Sequence, residues 1–369
     1  MIEKKVSIII PIYNVDKYLR DGLDSVIEQT YNQIEIVCVN DGSSDSCPVI
    51  LQEYVEKDNR IKVLNQKNSG TLVARKAGVA VATGDYIMFV DPDDKLYSTA
   101  VEDAVRKIEK ENCDIVVFGC KFCGEKIKKS EEKAYLDRHF NKCLEKFSVL
   151  NSRTEILTEC FINHNIPYHQ WGKIYRADIV KNAFEIIPDI RCVFAEDQGT
   201  ALILFNHSDK VAFLNKKLYC YRVGMGISTL SQYSIKRYIE CLQSFDMLSK
   251  VQTYVAEQNE NKKLLEKISK DIETTVVKTA VMLVDRLQDG VCTDEWLEPL
   301  LQKCHNTPLL VKELMNKGTV AHETIWNYES RLNQLSRKNK KHLKQLRIVI
   351  VIAVLLLMAV IGLLLSRYI

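Results

Sequence analysis

The sequence predicts an α/β fold built on a Rossmann-like, mostly parallel nucleotide-binding sheet. Three observations carry this. Four short runs, at 6–10, 34–39, 61–64 and 86–90, read as strands, the first and last of them apolar and β-branched enough to be buried. Each is followed by a stretch with apolar residues at helical spacing, the pattern of βαβ units covered on both faces. The strands also end in polar residues, most abruptly in Asp91-Pro92-Asp93-Asp94. Open α/β sheets bind ligands at that carboxyl edge.

The first strand, with only Ser7 polar, ends at Pro11-Ile12-Tyr13-Asn14, and Leu19, Leu23, Val26 and Ile27 then mark one helix face over 16–30. The second strand closes in Asn40-Asp41-Gly42-Ser43-Ser44-Asp45, a polar turn leading into a helix at 47–56. After the short third strand, Asn68-Ser69-Gly70 opens a helix running past Arg75 to Ala82. Gly84 then precedes the fourth strand, and Val101, Val105 and Ile108 mark a helix over 98–111.

The chain has 369 residues, 46% apolar and 27% charged, with a net charge of +3. That size suits two or three packing units, and the weak net charge gives no nucleic-acid footprint. No apolar leader precedes the first strand, so no signal peptide is expected. Twelve cysteines follow no framework, and Cys120-x-x-Cys123 with Cys113 and Cys143 nearby has no usual zinc spacing. Reduced, mostly buried thiols are the expectation.

No Gly-x-Gly-x-x-Gly follows the first strand and no Gly-Lys-Ser/Thr loop is present. Phosphates would then be held through a metal. Asp-x-Asp supplies hard oxygen ligands of the kind Mg²⁺ or Mn²⁺ prefers, completed by substrate phosphates. Tyr13 offers a ring to a base, and Asp41 an acceptor for base or ribose. Singly, Tyr13 also reads as a core aromatic and Asp41 as a turn residue. Together at one sheet edge they read as a site.

Residues 6–94 resemble the N-terminal half of family 2 glycosyltransferases. The matching blocks are Val6-Ser7-Ile8-Ile9-Ile10-Pro11-Ile12-Tyr13-Asn14, Glu35 through Asp45, Asn68-Ser69-Gly70 with Ala74-Arg75, and Thr83-Gly84-Asp85-Tyr86 into Asp91-x-Asp93-Asp94. The resemblance implies the GT-A fold and a nucleotide-sugar donor. It places Pro11, Tyr13 and Asp41 in the nucleotide pocket, Arg75 near the nucleotide, Asp91 near ribose and diphosphate, and Asp93 on Mg²⁺ or Mn²⁺. Asn40 stands where aspartate is common, and Lys76 where asparagine is common.

A further strand is expected at 113–122, followed by a charge-rich surface excursion at 126–146. In His169-Gln170-Trp171-Gly172-Lys173-Ile174-Tyr175-Arg176 the tryptophan beside Gly-Lys is either a packing element or part of an acceptor wall; the family has a similar Trp-x-Lys-x-Tyr segment. Glu196-Asp197 opens an apolar helical run and reads either as a helix N-terminal turn or as a base for an acceptor hydroxyl. The resemblance makes Asp197 that base and the transfer inverting. It extends through Leu218-Tyr219-Cys220-Tyr221-Arg222 to Ser228. No Gln-x-x-Arg-Trp occurs, which favours addition of one or a few sugars over polymerisation.

The expected organisation is a catalytic domain at 1–228, divided into a nucleotide-sugar half (1–111) and an acceptor half (112–228). A helical region at 229–330 and a basic segment at 331–347 follow. The stripes Ile235, Tyr238, Ile239, Leu242, Phe245 and Leu265, Ile268, Ile272, Val276, Ala280, Val284, Leu287 pack on the catalytic domain or on a partner, which leaves an oligomer open. Residues 348–365 carry no charge and span roughly 27 Å as a helix, so a single transmembrane helix is expected at 348–366. Basic residues from Arg337 to Arg347 place the catalytic domain in the cytoplasm and can hold anionic lipid. The expected acceptor is accordingly a membrane-associated glycan or lipid-linked precursor. Two other readings compete: an inactive nucleotide-sugar-binding scaffold, and a nucleotidyltransferase, for which Pro11-Ile12-Tyr13-Asn14 lacks the basic residues a triphosphate needs.

Overall fold

In the computed structural model, the described residues are 3–123, 130–192, 194–223 and 233–285, with 287, 296, 299, 300, 303 and 310. The first half alternates as expected: β1 (Val6–Ile12), α1 (Asp16–Ile27), β2 (Ile34–Asn40), α2 (Cys47–Lys57), β3 (Ile61–Asn65), α3 (Thr71–Val81), β4 (Tyr86–Phe89), β5 (Lys95–Leu96) and α4 (Ala100–Glu111). β1 and β2 are buried along their whole length, as strands covered on both faces must be. Ile8, Ile10 and Ile12 share a core with Leu19, Leu23 and Val26 of α1. On the other face, α3 lies so close that a Cβ at Gly78 would come 2.5 Å from an Ile9 methyl. Glycine is what lets that helix approach.

The second half comprises β6 (Ile115–Cys123), α5 (Ser130–Lys146), β7 (Val149–Leu150), α6 (Arg153–Leu157) with a π-helical turn at Thr158–Ile162, β8 (Lys173–Arg176), α7 (Ala177–Ile186), α8 (Glu196–Asn206) and β9 (Val211–Arg222). Among the described residues, nine strands form one sheet in the order β3-β2-β1-β4-β8-β6-β9-β5, with β7 on β9. The pairs among β1 to β4 are parallel, and so is β6 with β9. β8 is antiparallel to both β4 and β6, with Ile174 facing Met88 on one side and Val116 on the other. It thus joins the two halves of the sheet. This reversal was not expected from the sequence.

The excursion expected at 126–146 is in part the helix α5. Its sequence is charged, yet Asn141, Cys143 and Leu144 are buried. The cause lies in β6, whose pairing with β9 shifts register between Gly119 and Cys120. Asn141 accepts a hydrogen bond from the Cys120 N–H (2.8 Å) and donates one to the Cys120 carbonyl (3.0 Å). A polar side chain thereby satisfies both backbone groups at the irregularity.

Two further helices follow, α9 (Ile235–Gln258) and α10 (Lys262–Asp285). The chain divides into two compact units, one holding residues up to 231 with 243–269, the other 232–242 with 270 onward. In the first, Met247 and Leu248 press on Gly199 of α8. In the second, Tyr238 donates to the Trp296 carbonyl (3.0 Å), and Ile272, Val277, Ala280 and Val284 are buried. Ile239, expected in the apolar stripe, is 38% exposed. Among the described residues no helix is long and apolar enough to cross a membrane. The basic segment at 331–347 and the helix expected at 348–366 lie outside the described residues.

Candidate active site

The sheet's carboxyl edge gathers the expected residues. Pro11 is buried within β1, whereas Tyr13, just past its end, is 46% exposed and open to a ligand. Asp41 follows β2 and is only 3% exposed. Its carboxylate accepts from Gln66 Nε2 (2.7 Å), the Ser69 N–H (2.8 Å) and the Gly70 N–H (2.8 Å), so it anchors the turn that starts α3. Asn40 donates to Asn65 Oδ1 (2.9 Å) and accepts from the Ser43 N–H (3.0 Å). A carboxylate there could not donate. Lys76 donates to the Ile187 carbonyl (2.6 Å) and pairs with Asp189 (2.8 Å), tying α3 to the segment before α8.

The Asp91–Asp94 turn sorts its three carboxylates. The Asp94 N–H closes the turn on the Asp91 carbonyl (3.1 Å). Asp94 is a bracket: it accepts from the Tyr219 hydroxyl (2.8 Å) and the Arg222 N–H (2.6 Å), both on β9. Asp91 pairs with Arg75 Nη2 (2.8 Å). Asp93 has no ion-pair partner among the described residues; Arg222 Nε binds its backbone carbonyl instead (2.8 Å). Burial, then the Asp91 charge, push the Asp93 pKa up to about 6. The same causes, with Asp93 added, raise Asp94.

Asp197 comes from the first turn of α8. Its predecessor Ala195 is left-handed (φ 60°) and caps the helix without a side-chain hydrogen bond. Arg75 joins Asp197 to the sheet edge: Nη1 lies 3.4 Å from Asp197 Oδ1 while Nη2 holds Asp91. The guanidinium is almost wholly buried, and its Nε finds no acceptor among the described residues. The Asp197 side chain is open on one side, with 44% of its surface exposed. Elsewhere it is enclosed deeply enough for lost hydration to raise its pKa, against the pull of Arg75 and Lys173. Glu196 is pushed up to about 7 by burial and by Asp197.

The segment before β8 supplies a group the sequence reading did not single out. Gln170, 1% exposed, accepts from Arg75 Nη1 (2.9 Å) and donates to the Asp197 carbonyl (3.2 Å). Trp171 is 5% exposed and stacks on His169, Tyr219 and Tyr221, with ring centroids 3.4, 4.7 and 5.1 Å away. Packing is therefore its main role. Gly172 turns the chain in a left-handed conformation (φ 67°), and buried Lys173 donates to the His169 carbonyl. Burial brings the Lys173 pKa down to about 8.

Residues 7–172 match the family described as Glycosyl transferase family 2. That segment, rather than the whole chain, is a domain of glycosyltransferase family 2. Among curated relatives, glycosyltransferase GlyA of Streptococcus pneumoniae is 34% identical over 249 residues, covering 66% of this chain and 34% of GlyA. The uncharacterized glycosyltransferase EpsJ of Bacillus subtilis is 34% identical over 220 residues, covering 59% of this chain and 60% of EpsJ. The chain thus spans about a third of one relative and three fifths of the other. S. aureus TarS 1–349, solved with UDP-GlcNAc, shares the fold at a TM-score of 0.59 and 21% identity, over 83% of each chain. The sheet described above is accordingly the GT-A fold of the family.

Its donor set fits a hard divalent ion. Among the described residues no three His, Cys, Asp or Glu side chains converge on one point. Asp93, which has no ion-pair partner among the described residues, offers a carboxylate oxygen to such an ion. An ion held by one or two carboxylates and completed by substrate phosphates suits such a set.

Proposed function

We propose that this chain is an inverting glycosyltransferase. It moves a sugar from a nucleotide donor, a UDP-sugar, to a hydroxyl of a membrane-associated glycan or lipid-linked acceptor. One observation carries the reading. A single buried guanidinium contacts both Asp91 of the donor-side turn and Asp197 of α8, so the two acidic groups share one arginine.

Asp197 takes the proton from the acceptor hydroxyl as that oxygen attacks the anomeric carbon. Inversion requires the attacking oxygen and the leaving diphosphate on opposite sides of the sugar; Asp197 on its helix end would serve the first and the Asp91–Asp94 turn the second. Tyr13, exposed beside β1, offers its ring to the base. Pro11 shapes the pocket floor, and Asp41 accepts from the base by giving up part of its hold on the 66–70 turn. Asp91 and Arg75 line the ribose and diphosphate side. Asp93 would hold Mg²⁺ or Mn²⁺, and such an ion would supply positive charge to offset that of the leaving group. Holding donor and acceptor in line supplies the rest. The TarS complex with UDP-GlcNAc supports a UDP-sugar. Residues 348–366 would anchor the chain in a membrane, with the catalytic domain on the cytoplasmic side.

The test is turnover of a panel of nucleotide sugars by the full chain with Mn²⁺, with Mg²⁺, with EDTA, and as Asp93→Ala. The expected result is metal-dependent turnover of one UDP-sugar, lost by about a hundredfold or more in EDTA and in the variant. Failure of every nucleotide sugar to bind or react would sink the reading.

A further inference from the structure

Gln170 is uncharged and fully enclosed, yet both ends of its amide are spent on the two acidic groups' supports. Its oxygen takes the shorter bond from Arg75 Nη1, at 2.9 Å, and leaves Asp197 a loose one at 3.4 Å. Its nitrogen donates to the Asp197 carbonyl at 3.2 Å and to the Tyr168 carbonyl at 3.0 Å. The backbone behind it is braced, because Tyr175 donates to the Gln170 carbonyl (3.1 Å) and His169 Nδ1 meets the Trp171 carbonyl (2.8 Å). The amide therefore has little freedom to turn away.

A tight two-point pair between an arginine and a carboxylate is strong and suppresses the carboxylate's basicity. A general base beside an arginine needs something to hold that arginine off. We infer that Gln170 is a positioning residue: it keeps the Arg75 guanidinium on Asp91 and prevents it from closing onto Asp197, so that an Asp197 oxygen stays free to take the acceptor's proton. This rests on the transferase reading above. The other groups that face Asp197 are Asp91 after β4, Lys173 and Tyr175 on β8, Tyr221 on β9, and Glu196 on its own helix. None of these takes Arg75 Nη1 in a hydrogen bond; Gln170 does.

The test compares wild type, Gln170→Leu and Gln170→Glu as full chains, with kcat and KM for the donor followed over pH about 5 to 9. In Gln170→Leu the freed Nη1 closes on Asp197. The acidic limb should move down by about half to one unit and the plateau kcat should fall about tenfold. Gln170→Glu keeps an acceptor of the same size for Arg75 and sets a negative charge near Asp197. Its limb should move up, with a plateau within about threefold of wild type. Donor KM should change by less than about twofold in both. Limbs displaced in the same direction, an unmoved limb in Gln170→Glu, or a loss confined to KM would overturn the inference. Gln170→Glu alone decides if the leucine variant does not fold.

If wild type turns over no nucleotide sugar, the transferase reading fails by itself. The role of Gln170 is then read without substrate, from ¹³C-carboxyl titration of Asp197, its resonance assigned with Asp197→Asn. Opposite displacements in the two Gln170 variants sustain the inference, and coincident titrations overturn it.

Discussion

Glu35 and Asp93 occupy opposite edges of one sheet, and their surroundings treat buried negative charge in opposite ways. Glu35, at the amino edge, is 2% exposed. It accepts from the Ser7 hydroxyl (2.6 Å), the Thr83 N–H (2.6 Å) and Lys62 Nζ (2.8 Å), with Lys5 Nζ at 3.1 Å. Burial alone would raise its pKa; Lys62, Ser7, Thr83 and Lys5 together outweigh that and hold it well below the carboxylate range. At the carboxyl edge Asp93, Asp94, Glu196 and Asp197 are all raised. The amino edge is satisfied and finished. The carboxyl edge is left short of positive charge, a deficit that a metal ion and a proton in transit can meet.

The largest effect that would sharpen this contrast is on rate. Asp197→Asn should lower transfer about a thousandfold, within the span of general-base effects, with donor KM nearly unchanged and no loss of Tm. Steady-state kinetics beside a thermal melt checks it, and activity within tenfold of wild type would break the assignment. Glu35→Ala should do the reverse. It strands the Ser7 hydroxyl and the Thr83 N–H, and should cost about 2–4 kcal/mol in urea unfolding while kcat per folded molecule holds. The two lysines are 39% and 50% exposed, so they add little to that figure. Since the folded Glu35 pKa is depressed, its contribution is present above the unfolded value of about 4.3 and fades as pH falls. The gap between wild type and variant should narrow in acid.

Glu196→Gln probes the same contrast more gently. Its folded pKa stands at about 7, above the usual carboxylate range. The native state therefore holds an extra proton between about pH 4 and 7, and stability falls as pH rises through that window. Removing the charge should raise Tm above pH about 7 and leave it unchanged near pH about 4. Equal shifts at both ends would mean that the effect is packing and not charge.

The two edges also differ in how far the sequence discloses them. β1, β2 and β4 are mostly apolar runs, buried along their length and interrupted only by Ser7, Glu35 and Asn40, a one-dimensional signal. Asp91, Asp93 and Asp197 are carboxylates in local motifs; Asp91 and Asp93 follow β4, and Arg75 contacts both Asp91 and Asp197. Gln170 has no such signal: its partner Arg75 is 95 residues away, and neither residue type suggests the other. β8 was illegible for a related reason. Two of its four residues, Lys173 and Arg176, are charged, and its direction is set by the neighbours it slots between. Asn141 looks like one more polar residue in a charged stretch until a register shift 21 positions earlier gives its amide two backbone partners.

The smallest expected effect concerns the backbone under Asp197. Ala195 adopts φ 60° and ψ 4°, and caps α8 without a side-chain hydrogen bond. A left-handed alanine costs about 1–2 kcal/mol, and a missing cap about 1 more. Two local preferences are thus given up in the residue just before Glu196 and Asp197. Ala195→Gly relieves the strain but adds freedom to the unfolded chain worth about 0.5–1 kcal/mol, so the net gain should stay below about 1 kcal/mol. If the strained turn helps to aim Asp197, the glycine variant should melt slightly higher and turn over a few-fold more slowly, with the loss in kcat. A higher Tm with unchanged kcat would assign the aiming to the Arg75–Gln170 contact alone, because that contact reaches Asp197 from outside its own helix and does not depend on how the turn enters it.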